Sequence, residues 1–251
     1  MKSVLYVCHG SRMGDGCQQA IDLIEEIQEN VPVPIQEISF LELAEPTIET
    51  GFAHCIEKGA TEVAVVPVFL LAARHVKNDI PKKLEVLKKR NPRVSVSFGK
   101  VFGIHERIID ILLERVSGKM MTRMGSAPVL IVGRGSSDPD MISTFAEIVS
   151  LFRNRTHYRD VKPCFLAAAE PGLKKSLYET LDKEGDSIIV IPYLLFTGVL
   201  IREMKTMIDK ITSEKDIILC DCLGFHPYLK EVLIDRVNET LQQKDVLIVS
   251  T

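Results

Sequence analysis

His9, Glu42 and His75 follow one another at intervals of 33 residues and carry the donor types that a divalent first-row metal takes, two imidazoles and a carboxylate. Three ligands leave coordination positions open, whereas a structural zinc site closes with four, usually including cysteines. An open site can hand its metal on. Imidazole also titrates near neutrality, so either histidine can instead accept a proton released by a substrate. Taken singly, each residue has a plainer reading: His9 as a turn residue before Gly10-Ser11, His75 as a helix-entry residue, Glu42 as a solvated acid.

An internal repeat sets the three apart. Val4-Leu5-Tyr6-Val7-Cys8-His9-Gly10-Ser11 aligns with Val129-Leu130-Ile131-Val132-Gly133-Arg134-Gly135-Ser136 at an offset of 125 residues. The same offset matches Phe40-Leu41-Glu42-Leu43-Ala44-Glu45-Pro46 to Phe165-Leu166-Ala167-Ala168-Ala169-Glu170-Pro171, and Val63-Ala64-Val65-Val66-Pro67 to Ile188-Ile189-Val190-Ile191-Pro192. Gly103-Ile104-His105 answers Gly224-Phe225-His226 at 121, after a short deletion. Under this alignment His9 becomes Arg134, Glu42 becomes Ala167 and His75 becomes Leu200, so three potential ligands vanish together. The other histidines read differently. His105 and His226 hold matching helix-start positions, which favours a structural or ligand-rim role, while His54 on a helix and His157 in a polar loop read as surface residues. Arg134-Gly135-Ser136-Ser137-Asp138-Pro139 is a strand-to-helix turn that suits an anion or, alternatively, a helix cap by Ser137 or Asp138.

The elements that must position these side chains alternate along the chain. Apolar, β-rich runs at 3–8, 34–40, 62–67 and 94–98 interleave with amphipathic helical patterns near 14–29, 46–58, 77–90 and 104–117. The second copy repeats this, with strands at 128–133, 160–166, 187–192 and 216–221 and helices near 139–154, 171–183, 198–212 and 226–242. Strands joined by helices form parallel sheets. The expected fold is therefore α/β: two tandem α/β/α sandwich domains from a duplication, each with a mainly parallel four-stranded sheet, over residues 1–122 and 123–251. Gly118 to Pro128 is the linker candidate, and the apolar tail Lys244 to Thr251 is either an extra edge strand or a disordered end. Open parallel sheets bind ligands beyond the carboxyl ends of their strands. His9 ends strand one, Glu42 follows strand two and His75 follows strand three, so all three are expected on one rim of the first domain.

Composition excludes several classes. A formal charge of −3 with interspersed acids and bases leaves no footprint for nucleic acid, and Lys82-Lys83 and Lys88-Lys89-Arg90 read as a solvated helix face. The apolar stretch at Val4 to Cys8 is too short for a signal peptide, and no window approaches the roughly 20 apolar residues of a membrane span. The six cysteines (Cys8, Cys17, Cys55, Cys164, Cys220, Cys222) form no CxxC or disulfide framework, and Cys220 and Cys222 alternate along a predicted strand, which argues against a metal pair. A soluble, cytoplasmic monomer is expected.

At Val4 to Arg12 the chain resembles the CbiX/SirB family of class II tetrapyrrole chelatases. The resemblance runs on through Gln36-Glu37-Ile38-Ser39-Phe40-Leu41-Glu42-Leu43, Val65-Val66-Pro67 with His75, Gly133-Arg134-Gly135-Ser136-Ser137-Asp138-Pro139, and Pro192-Tyr193-Leu194-Leu195-Phe196-Thr197-Gly198, covering nearly the whole chain. It implies two chelatase-like lobes with a cleft in which Fe²⁺ enters sirohydrochlorin to give sirohaem and two protons, without ATP, an organic cofactor or an iron–sulfur cluster. Co²⁺ or Ni²⁺ remains an alternative metal. His9 and His75 match the family's catalytic histidines, and Glu42 its acidic metal position. The substrate is a polycarboxylate, which makes Ser11, Arg12, Arg134, Ser136 and Arg202 candidate partners for its side chains. One departure is Cys8, where glycine is common in the family: it is either an additional soft ligand or a space-filling residue. Two other readings compete. A strand-end His-Gly near an arginine suggests phosphohistidine chemistry, although the arginine usual directly before the histidine is missing; a non-catalytic metal or tetrapyrrole carrier is the other.

Overall fold

The computed structural model describes residues 1–11, 14–118, 127–183 and 185–243. Most of the linker candidate and the whole tail 244–251 lie outside the described residues.

The first sheet holds β1 (Lys2–Cys8), β2 (Ile35–Phe40), β3 (Glu62–Pro67) and β4 (Ser95–Phe98) in the order β2-β1-β3-β4. All its pairings are parallel, with Cys8 opposite Phe40 and Val7 opposite Pro67. From Ser3 onward β1 is buried at every position, because helices cover both faces and no polar alternation is called for. On one face Leu5, Val7, Val63 and Val65 meet Ile48 and Phe52 of α2 (Ile48–Glu57) and Ile80 and Leu84 of α3 (Ile80–Arg90). The other apolar stripe belongs to α1 (Gly14–Gln28), which buries Ala20, Leu23, Ile24 and Ile27. The lysine run lies on α3, where Lys83 pairs with Glu49 at 2.6 Å and Lys89 with Glu85 at 2.7 Å.

The second sheet repeats the plan: β5 (Val129–Gly133), β6 (Val161–Phe165), β7 (Ser187–Tyr193) and β8 (Asp216–Leu219), in the order β6-β5-β7-β8 and all parallel. Its helices are α5 (Pro139–Asn154), α6 (Leu173–Leu181) and α7 (Val199–Asp209). β8 ends at Leu219, so Cys220 and Cys222 lie just past it, both buried and neither in a disulfide. Among the described residues no helix is long and apolar enough to cross a membrane.

The compact units differ from the contiguous halves 1–122 and 123–251. One unit is Met1–Gly103 with the chain from Lys230 onward; the other is Ile104–Leu229. The last helix of each copy is exchanged. α4 (Glu106–Ser117) joins the second unit, where Asp110 meets Arg155 at 2.6 Å and Arg115 donates to the Gly224 carbonyl at 2.9 Å. α8 (Pro227–Gln242) runs into the first unit, where Arg236 donates to the carbonyls of Val101 (2.8 Å) and Phe102 (2.6 Å), and Ser97 Oγ donates to the Thr240 carbonyl (3.2 Å). Both exchanged helices start on a histidine. His105 Nδ1 accepts from the Arg107 N–H at 3.2 Å, and His226 Nδ1 from the Tyr228 N–H at 3.3 Å. His226 Nε2 then donates to Glu114 at 2.9 Å. These two histidines are structural caps.

Candidate metal site

The ends of β1 and β2 are tied together beyond the strands themselves. Leu41 N–H donates to the Cys8 carbonyl at 2.9 Å and Glu42 N–H to the His9 carbonyl at 3.2 Å, which carries the ladder onto the rim and sets Glu42 beside His9. Only glycine permits that approach: Gly10 has φ +90°, and a Cβ there would lie 1.7 Å from the Glu42 carbonyl oxygen. The loop closes where Phe40 N–H meets the Pro46 carbonyl at 2.8 Å, next to the cis Glu45–Pro46 bond. β3 extends the same way, with Val68 N–H on the Val7 carbonyl at 2.8 Å. The segment beyond is held by Phe102 and Gly103 N–H groups on the carbonyls of Phe69 and Leu70, and leads to His75. The helix expected from residue 77 begins there as a π-turn, His75–Asp79, before continuing as α3.

His9, Glu42 and His75 each offer a ligand atom within 4.8 Å of the others, the one such group among the described residues. Donors about 2.1 Å from a common ion can stand up to about 4.2 Å apart, so small rotamer shifts suffice to close the set on a metal. The imidazoles meet edge to face, centroids 5.1 Å apart at 80°, and His9 Nδ1 lies 3.7 Å from Glu42 Oε1 and 3.2 Å from the Gly10 carbonyl. The three side chains are 29 %, 44 % and 36 % exposed, open enough to exchange a metal with something outside. Phe69 supplies an apolar wall, its ring 6.0 Å from that of His9. Cys8 is 3 % exposed, and burial pushes its thiol well above the usual range, which fits the space-filling reading. One neighbour went unnoticed in the sequence: Asp79 Oδ2 stands 2.8 Å from His75 Nδ1. Its only signal is a carboxylate four residues beyond a candidate ligand at a helix start.

The proposed substrate contacts are more scattered. Ser11 sits half-buried on the loop after His9, its carbonyl 3.5 Å from the Cys17 thiol, while Arg12 lies outside the described residues. Arg134 and Ser136 occupy the equivalent turn of the second unit, with Arg134 exposed. Ser136 Oγ accepts from the Asp138 N–H at 3.0 Å, and Asp138 caps α5 by accepting from the Asp140 N–H at 3.0 Å, so the capping reading of this turn holds. Arg202 is exposed on α7 and lines a groove of about 710 Å³ with Lys174, Tyr178, Glu203 and Lys210.

Similarities to known proteins bear on this arrangement. The chain is 44 % identical over 245 residues to a sirohydrochlorin ferrochelatase of Priestia megaterium, covering 97 % of this chain and 92 % of the relative. It is 34 % identical over 249 residues to a sirohydrochlorin cobaltochelatase of the same species, covering 96 % and 81 %. The solved structure of SirB from Bacillus subtilis with Fe³⁺ superposes with a TM-score of 0.89 at 38 % identity, covering 98 % of this chain and 99 % of that one. The family model described as CbiX matches twice, at residues 3–119 and again at 128–240, one match to each copy of the repeat, and the chain belongs to the CbiX family.

Proposed function

We propose that this chain is a sirohydrochlorin ferrochelatase, inserting Fe²⁺ into sirohydrochlorin to give sirohaem and two protons without ATP. The observation that carries the reading is the cluster of two imidazoles and a carboxylate on an accessible rim. The match over 97 % of this chain to a relative named for this activity supports it. Iron here is a substrate, and the donor set suits a substrate. Three partly exposed ligands hold an ion without closing its coordination shell, so ring nitrogens can replace protein atoms one by one. A tighter site would stabilise the bound metal relative to the transition state for transfer and slow the enzyme. As the metal leaves, the freed imidazoles of His9 and His75 become bases for the two pyrrole protons. The second copy, in which Arg134, Ala167 and Leu200 replace the three ligands, is the substrate-holding one, and Ser11, Arg12, Arg134, Ser136 and Arg202 are the candidate partners for the tetrapyrrole carboxylates. In this reading the enzyme works as a cytoplasmic monomer.

The test is to incubate pure protein with sirohydrochlorin and Fe²⁺, Co²⁺ or Ni²⁺ and follow the absorbance spectrum over many turnovers. Iron is expected to be inserted fastest. No insertion of any metal overturns the reading, and a single stoichiometric uptake marks a carrier. A second reading, cobalt insertion, is favoured by the match to the cobaltochelatase, because two imidazoles and a carboxylate do not choose between Fe²⁺ and Co²⁺. Fastest insertion of cobalt would establish it.

A further inference from the structure

We infer that Asp79 is a positioning residue for the metal: it takes the Nδ1–H of His75 and so presents Nε2 to the ion. This rests on the chelatase reading above. The two atoms are 2.8 Å apart. A neutral imidazole donates through one nitrogen only, so a carboxylate on Nδ1 fixes the tautomer, leaves the Nε2 lone pair free and makes it a better donor. Both side chains are about a third exposed, 36 % and 37 %, where an ion pair contributes little to folding. Its value lies in orientation.

Three features of the chain support the assignment. Asp79 has helical backbone where the π-turn runs straight into α3, so no open helix end competes for its carboxylate, which makes no cap bond and turns to His75. The pair is also built on a π-turn, closed by the Ile80 N–H on the His75 carbonyl and anchored by buried Val76. Such wide turns are rare and gather at functional sites. Finally, the repeat supplies a control. At the offset of 125 residues His75 corresponds to Leu200 and Asp79 to Met204, which is fully buried, and the π-turn gives way to the regular helix α7. Ligand, carboxylate and wide turn are lost together where the other two metal ligands are lost. His9 needs no such partner, since the Gly10 carbonyl lies 3.2 Å from its Nδ1.

The test is a double-mutant cycle on the full chain, read by Co²⁺ titration in the visible spectrum, with sirohydrochlorin affinity measured separately. Asp79→Ala is expected to weaken Co²⁺ binding by about 10–100-fold, as removal of such outer partners does, to alter the Co²⁺ spectrum, and to leave tetrapyrrole affinity unchanged. Asp79→Asn, which keeps an acceptor oxygen, should recover part of the loss and serves as the isosteric backup should Asp79→Ala fail to fold. In a His75→Ala background neither substitution should weaken Co²⁺ binding further. Unchanged Co²⁺ affinity in Asp79→Ala overturns the inference, and so does an equal loss in the His75→Ala background, which would make Asp79 a direct ligand. If His75→Ala itself leaves Co²⁺ binding and chelation intact, the metal-site reading fails instead.

Discussion

The carboxyl rims of the two sheets share one backbone. Glu42 N–H donates to the His9 carbonyl at 3.2 Å, and Ala167 N–H to the Arg134 carbonyl at 3.0 Å. Gly10 and Gly135 have φ of +90° and +92°, and at both an added Cβ would lie 1.7 Å from the carbonyl oxygen of residue 42 or 167. Leu43 and Ala168 both take positive φ, and both loops carry a cis proline, Pro46 and Pro171. What differs is the side chains, His9, Glu42, His75 and Asp79 against Arg134, Ala167, Leu200 and Met204, and the turn beneath the third ligand position, a π-turn at His75 and regular helix at Leu200. The two copies share the frame that brings strand ends together, and one of them carries the candidate ligands. Backbone geometry is therefore necessary for this site and far from sufficient.

The comparison is tested hardest by deleting ligands in turn. His9→Ala and His75→Ala should each lower chelation kcat/KM by at least about 100-fold, more than about 2.7 kcal/mol of transition-state stabilisation, without a change in thermal midpoint. Leu200→Ala in the second unit should instead lower stability, because that side chain packs on the apolar core, and leave metal titration unchanged. Wild-type kcat/KM in either histidine variant would remove the distinction between the rims.

The alternation of elements was legible because each strand is a short apolar run and each helix an amphipathic one, and the strand-end positions of His9, Glu42 and His75 followed from that alternation. The exchange of α4 and α8 was not legible. The two copies present near-equivalent apolar faces, so the stripe of Ile108, Ile109, Ile111 and Leu112 on α4 specifies a sheet face without specifying which copy supplies it. The π-turn was missed for a related reason: one extra residue in a helical turn leaves the hydrophobic period nearly unchanged. Asp79 was missed with it, since a helix begun at residue 77 leaves His75 outside the turn on which the two side chains meet.

The shared frame predicts equal structural damage with unequal chemical cost. Gly10→Ala and Gly135→Ala each force a side chain into left-handed backbone, at about 1–2 kcal/mol, and against a carbonyl that must then move. Thermal midpoints should fall similarly in both. Metal affinity should fall only in Gly10→Ala, because the displaced carbonyl there belongs to Glu42. Equal metal loss in both variants, followed by equilibrium titration, would mean that the second rim takes part in binding the ion.

Smaller effects separate the two substrates. Glu42→Gln should raise the metal KM or lower kcat with little change in tetrapyrrole affinity. Arg134→Ala should do the reverse, weakening sirohydrochlorin binding by about 1–3 kcal/mol, the usual range for a lost charge-assisted hydrogen bond. Separate titrations of each ligand check both. Metal loss in Arg134→Ala would contradict the division of labour between the rims.

The weakest expected signal bears most directly on the comparison. If the second rim lacks only its side chains, then Arg134→His, Ala167→Glu and Leu200→His together should create a second metal equivalent there. Gly135 already brings Ala167 against Arg134, and the β5 and β6 ends are joined as β1 and β2 are, so two of the three donors should meet without backbone change. The third is less well placed. Position 200 lies in the first turn of the regular helix α7, without the π-turn that carries His75, and position 204 below it is buried methionine instead of an accepting carboxylate. The grafted site should therefore bind Co²⁺ at least about 10–100-fold more weakly than the native one, the deficit expected when a ligating histidine lacks its outer partner. A graft that binds as tightly as the native site would show that the π-turn and Asp79 contribute nothing to the metal. A graft that binds none would show that the joined ends of β5 and β6 do not bring their two donors together as those of β1 and β2 do.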